Sequence, residues 1–203
     1  MERGKVIAII GIPGAGKTTL GNGLAKKFAV RFLEENWKSI PFFSKERKKD
    51  PTNFETCIGF LNLRYEQMQE AQEIARTETC VFIDTVFEMT DVYAKLILDH
   101  GEYQEFKKVF DLYRVALPAP DVYIHLTGDV NIIRERSLKR PLSVKNEEIF
   151  LSLGVLQKSE SEIVNLIQAV AKGRVYTVDV IKEDVRTGAF LETFFQKILN
   201  SSI

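Results

Sequence analysis

Eight consecutive residues, Gly11-Ile12-Pro13-Gly14-Ala15-Gly16-Lys17-Thr18, fit the spacing G-x-x-x-x-G-K-[ST], and Thr19 carries the chain straight into a helical run ending near Phe28. Glycines at these places let backbone N–H groups curl round phosphate oxygens, and the helix that follows turns its positive end toward them. Gly11, Pro13, Gly14, Ala15, Gly16, Lys17, Thr18 and Thr19 are therefore the expected cradle for the phosphates of a nucleoside triphosphate. Lys17 is placed to reach the β- and γ-phosphates, and Thr18 to ligate Mg²⁺.

Such a loop needs a buried strand before it and a helix after it, and the sequence supplies both. Apolar runs at Val6–Ile10, Val30–Leu33, Cys80–Ile83, Val122–Leu126 and Val175–Val178 read as strands. Their continuous rather than alternating apolar character marks strands covered on both faces, and the helical patterns between them supply the crossovers that parallel pairing demands. Helices are expected over Phe54–Arg76, Val86–Leu98, Asn131–Lys139 and Glu147–Ala171, the first of them started by Asp50-Pro51-Thr52. Pro118-Ala119-Pro120-Asp121 forms a rigid approach to the fourth strand. The expected fold is α/β: a three-layer α/β/α sandwich on a five-stranded parallel sheet, of the P-loop kinase type. Residues 1–203 are expected to form a single domain, with an arginine-bearing lid at about 134–146.

Ligands of such sheets collect at the carboxyl ends of the strands. Asp84 ends the third strand and is a candidate Mg²⁺ ligand, directly or through water, unless it caps the helix that follows. Glu35, beyond the second strand, lies at the same end and could accept a proton from a substrate hydroxyl; a solvated loop acid would look alike in sequence. Arg134, Arg136 and Arg140 follow the fourth strand, where planar guanidinium groups could close over a transferring phosphoryl group or form a solvated helix face. Lys45, Arg47, Lys48 and Lys49 read as a solvated loop, and His100 and His125 as histidines without chemical partners.

The 203 residues carry 28 basic and 28 acidic side chains, so no net field holds a nucleic-acid polymer or a membrane surface. The apolar run of the N-terminus is too short for a signal segment or a span, which points to the cytoplasm. Cys57 and Cys80 read as packed thiols in a reducing compartment.

These residues together resemble the deoxynucleoside kinase family of P-loop kinases. The resemblance runs over most of the chain and is carried by the phosphate loop, by Gly59-Phe60-Leu61-Asn62-Leu63-Arg64-Tyr65-Glu66-Gln67, by Leu117–Leu126 (LPAPDVYIHL) and by the arginines near Arg134. It implies ATP as donor, Mg²⁺, a small nucleoside or nucleotide as acceptor, and Glu35 as general base on a sugar 5′-hydroxyl. The family's acid lies six residues before a Pro-aromatic pair, here Pro41-Phe42, with Glu34 the fallback. The resemblance further implies that Asp84 is the metal-side acid, that Arg134 and Arg140 are lid residues acting with Lys17, and that the chain can form a homodimer.

Three positions depart from the pattern. The family writes Arg after the strand-three acid, where this chain has Asp84-Thr85-Val86. Asn36-Trp37 follows Glu35 in place of Pro. The base-reading glutamine, seven residues before Arg64, is Cys57, a poor two-point partner for a nucleobase edge. Arg136 or Arg114 are the candidates to replace the lost arginine. The leading expectation is transfer of the γ-phosphoryl group of ATP to a nucleoside 5′-hydroxyl. A nucleoside monophosphate kinase would instead use Arg64 or Arg114 against the acceptor phosphate, and a catalytically weak nucleotide-binding protein would bind ATP without turnover.

Overall fold

The computed structural model describes residues 3–40, 52–139, 151–170 and 174–200. Its sheet has five parallel strands in the order β2-β3-β1-β4-β5: β1 Lys5–Ile10, β2 Arg31–Leu33, β3 Cys80–Asp84, β4 Val122–Thr127 and β5 Val175–Asp179. The helices among the described residues are α1 Lys17–Phe28, α2 Asn53–Ile74, α3 Met89–Ile97, α4 His100–Ala116, α5 Val130–Leu138, α6 Leu153–Val170 and α7 Gly188–Leu199, with a 3₁₀ turn at Trp37–Ser39. β1 lies in the middle, and the strand order reverses there. β2 and β3 lie to one side of it and β4 and β5 to the other, so the loop leaving β1 opens over the crevice where such sheets receive ligands.

Five of the six residues of β1 are buried, as are all of β3, which is why these strands read as continuous apolar runs. α1 and α7 cover one face, where Phe28 stacks on Phe195 at 4.0 Å and Phe82 of β3 approaches the same ring. α2, α3, α4 and α6 pack together over the other, with Tyr65 against Tyr113 at 4.6 Å and Phe87 against Phe110 at 4.8 Å. The side chains of Cys80, Phe82 and Asp84 share a face because strand residues alternate, and that face is the one covered by α1.

The helix starts are chemically specified. Thr52 accepts from the Glu55 N–H while the Glu55 carboxylate accepts from the Thr52 N–H, and Asp99 and Glu102 repeat this box ahead of α4. Several expected bounds shift. α1 begins at Lys17 rather than Thr19. α3 begins at Met89 rather than Val86, because residues 86–88 turn first, the Met89 N–H donating to the Val86 carbonyl at 3.1 Å. α6 begins at Leu153, and the expected start at Glu147 lies outside the described residues, as do Asp50 and Pro51. α4 and α7 were not expected from the sequence.

α5 lies directly on the phosphate loop. Ser137 donates its hydroxyl to the Pro13 carbonyl at 3.0 Å, and a Cβ on Gly14, whose φ is 87°, would sit 1.9 Å from the Ser137 hydroxyl oxygen and 2.8 Å from the Ile133 carbonyl oxygen. Gly14→Ala is thus expected to lower folding stability by about 1–3 kcal/mol and to weaken triphosphate binding. Urea unfolding and nucleotide titration check this, and an unchanged midpoint with unchanged affinity would show that α5 does not bear on the loop.

Candidate active site

The loop from Gly11 to Thr18 takes left-handed backbone angles at Gly11, Gly14 and Gly16, with φ of 152°, 87° and 95°. Only glycine adopts these without strain. Gly16 is the N-cap of α1 and offers no side-chain acceptor, and no acid stands in the first turn. The N–H groups opening α1 near Lys17, Thr18 and Thr19 therefore present an uncompensated positive end, the requirement for a phosphate. Ala15 closes the loop by donating its N–H to the Ile12 carbonyl at 3.1 Å. Lys17 arches back over the loop, its Nζ 3.0 Å from the Gly11 carbonyl and 3.4 Å from that of Ile12.

Thr18 donates its hydroxyl to Asp84 Oδ2 at 2.7 Å, so Asp84 meets the loop rather than capping α3. Asp84 is 5% exposed, and burial raises its pKa; Lys17 opposes that, Glu35 adds to it, and the Thr18 hydrogen bond and Arg64 lower it again. The hydroxyl of Thr18 and the carboxylate of Asp84 are hard oxygen donors on one side of the loop. No group of three or more His, Cys, Asp or Glu side chains forms a metal cage among the described residues. That donor set fits Mg²⁺, which keeps waters and is held by one or two protein oxygens together with phosphates.

Glu35 lies at the exit of β2, and Arg64 of α2 holds it. Arg64 Nε donates to Glu35 Oε1 at 2.7 Å, Nη2 lies 2.7 Å from the same oxygen, and Nη1 donates to Thr90 Oγ1 at 3.0 Å. The Phe60 ring lies 5.3 Å beneath the guanidinium. Among the described contacts none uses Glu35 Oε2. Cys57, two turns earlier on α2, is 3% exposed, and burial pushes its thiol up to about 12, with Arg64 acting the other way. It is a neutral wall of this region. Gln67 completes the corner, donating its amide to the Leu33 carbonyl at 2.8 Å and the Asp84 carbonyl at 3.1 Å.

The arginines separate. Arg134 Nε donates to the Leu151 carbonyl at 2.8 Å and Arg136 Nη1 to the Val180 carbonyl at 3.2 Å, so α5 reaches toward the start of α6 and toward the turn after β5. Arg140 lies outside the described residues. Arg114 pairs with buried Glu88 at 2.9 Å and donates to the Leu117 carbonyl; no described contact joins it to Glu35, Asp84 or the loop. The arginine beside Glu35 is thus Arg64, neither Arg114 nor Arg136, and the hydroxyl of Thr85, where the family writes arginine, is buried without a partner. His125 is also not solitary, since its Nε2 lies 3.1 Å from Glu160 of α6. Gln67, Thr90 and Ser137 escaped the sequence reading. Gln67 alone left a trace there, three residues after Arg64 and hence on the same helical face.

Burial and the nearby Glu35 raise the Asp84 pKa, so in the metal-free protein ionised Asp84 costs stability above the pH at which it ionises in the unfolded chain. Asp84→Asn, which keeps an acceptor for Thr18, should raise the urea midpoint of the metal-free protein at neutral pH, with the gain shrinking as the pH falls toward the ordinary carboxylate range. The same variant should lose Mg²⁺-dependent nucleotide binding. A midpoint below wild type at neutral pH would contradict the sign.

The comparisons with known proteins bear on the family and the fold. A sequence model described as Deoxynucleoside kinase matches residues 7–197. The chain is 28% identical to the deoxyguanosine kinase of Bacillus subtilis over 189 residues, covering 91% of this chain and 90% of that enzyme. It is 31% identical to the deoxyadenosine kinase of Dictyostelium discoideum over 179 residues, covering 83% of this chain and 69% of that one. Among solved structures, the deoxyadenosine kinase of M. mycoides with products dCMP and dCDP superposes with a TM-score of 0.73 at 24% identity, over 97% of this chain and 100% of that chain. The phosphate loop at the switch point of a five-stranded parallel sheet and the match across nearly the whole chain lead to one conclusion: the chain belongs to the deoxynucleoside kinase family.

Proposed function

We propose that this protein transfers the γ-phosphoryl group of ATP to the 5′-hydroxyl of a nucleoside or deoxynucleoside. The observation that carries the reading is the Glu35 carboxylate, held through one oxygen by Arg64 at the same sheet edge as the phosphate loop. Its second oxygen accepts the proton of the hydroxyl as the hydroxyl oxygen bonds to the γ-phosphorus and the bond to the β-phosphate oxygen breaks, leaving ADP and a nucleoside 5′-monophosphate. Lys17 and the first turn of α1 hold the phosphates. Thr18 and Asp84 would hold Mg²⁺, which would supply charge neutralisation at the β- and γ-phosphates. Arg134, with Arg136 and Arg140, supplies the guanidinium side of the donor pocket.

The arrangement favours a hydroxyl acceptor over a phosphate acceptor. Arg64 and Arg114, the arginines suited to an acceptor phosphate, are each neutralised by a carboxylate, Glu35 and Glu88. Cys57, expected on the acceptor side, is 3% exposed and belongs to the hydrophobic core, so it offers the base no open surface. No helix among the described residues is long and apolar enough to cross a membrane, and both cysteines are free thiols, in keeping with a cytoplasmic enzyme. We infer a single kinase domain over residues 1–203 with a lid at about 134–146, of which residues 140–146 lie outside the described residues. A homodimer through α4 is proposed with it, since Leu112 and Val115 are 74% and 89% exposed on that helix.

Labelled ATP with Mg²⁺ and a panel of deoxynucleosides, ribonucleosides and their monophosphates tests the reading. Label should appear on nucleosides and not on monophosphates, and the reverse would replace this reading by the monophosphate kinase one. Glu35→Gln should lower turnover about 10²- to 10⁴-fold with ATP affinity little changed. Lys17→Ala should abolish turnover, and full activity in that variant would remove the loop from the mechanism.

A further inference from the structure

The edge strand β2 is three residues long, and its last ladder pair with β3 is Leu33 with Ile83. β3 continues one residue further to Asp84, which is held from its other side by pairing with Ile9 of β1. Glu35, two residues past the end of β2, is held by no ladder at all. The sheet thus fixes the metal-side acid and leaves the position of the proton-accepting acid to something else.

That something stands on α2. Gln67 is 7% exposed, and its amide nitrogen donates to both the Leu33 and the Asp84 carbonyls, at 2.8 and 3.1 Å. By the register the Leu33 carbonyl is the last acceptor of the β2–β3 ladder, and the Asp84 carbonyl is the one that the Glu35 N–H would have filled had β2 run on. An –NH₂ group is suited to this position because it carries two hydrogens on one atom and no charge; a carboxylate has no donor and an imidazole nitrogen has at most one hydrogen. Arg64, one turn earlier on the same face, grips the Glu35 side chain while Gln67 grips the backbone two residues before it. We propose that Gln67 is a positioning residue that replaces the missing β2–β3 ladder with one side-chain amide and so sets the distance between Glu35 and the metal side of the active site.

This rests on Glu35 being the general base, and the test separates the two claims. Gln67→Met keeps the length of the side chain and removes both donors. Asp84 stays paired to β1 while the exit of β2 is released, so kcat for nucleoside phosphorylation should fall about 10- to 100-fold. The affinity for Mg²⁺·ATP should be unchanged, a split that a general loss of packing would not produce. If Gln67 acts through Glu35, the double variant Gln67→Met with Glu35→Gln should be no slower than Glu35→Gln alone. Losses that multiply, or a Gln67→Met enzyme with wild-type kcat, overturn the assignment. A Glu35→Gln enzyme with wild-type kcat overturns the base itself and the role of Gln67 with it. Should Gln67→Met not fold, Gln67→Glu reads the same point. Its carboxyl group can donate to a strand-end carbonyl only when protonated, so its rate relative to wild type should rise as the pH is lowered. A ratio independent of pH overturns the proposal.

Discussion

Bringing Asp84 and Glu35 to one end of a buried parallel sheet sets two carboxylates near each other, and burial together with the Glu35 charge makes Asp84 harder to ionise. The rest of the site follows from how that charge is balanced. Lys17 and the first turn of α1 balance Asp84 from the loop side, while Arg64 balances Glu35 from the helix that covers the opposite face. Neither cation is free to move far: Lys17 is bound to loop carbonyls, and Arg64 is wedged between Thr90 and the ring of Phe60. Under the proposed function, a triphosphate would enter this arrangement as a partner for charges already held in place, which would leave little reorganisation for the moment of reaction.

Much of the fold was legible because each strand is covered on both faces and therefore reads as an unbroken apolar run. All five runs became strands, with ends shifted by a residue or so where a polar residue such as Asp84 or Thr127 continues the ladder. The loop was legible for a different reason, since its backbone angles admit little but glycine. α4 and α7 went unread although their apolar residues recur at helical spacing, Phe106 with Phe110 and Leu191 with Phe194, Phe195 and Ile198. Their charged faces are no different from those of an exposed loop, and only packing against α2 and α1 decides the matter.

The acceptor side was harder to read because its contacts join residues far apart in sequence. Nothing near Glu35 in the sequence indicates that it is met by Arg64, from the middle of α2. Likewise nothing in the neighbourhood of His125 reveals Glu160, which approaches from α6 with Thr127 donating to the same carboxylate at 2.5 Å. Sequence spacing records which residues share a strand or a helical face. It does not record which faces meet, and the contacts of Glu35 with Arg64 and of Gln67 with the strand ends are products of such a meeting.

The steric contrast between the two halves bears on how such a protein can change over generations. A Cβ at Gly11 would lie 2.5 Å from the Leu126 carbonyl oxygen, and one at Gly14 would strike α5, so substitutions there collide with backbone that cannot retreat. The contacts among Glu35, Arg64 and Thr90 join side chain to side chain, and such groups can be exchanged in pairs while the strands behind them stay where they are. Mutational drift is therefore channelled: the pocket for the phosphate donor is frozen by its main chain, and the range of acceptors is free to wander.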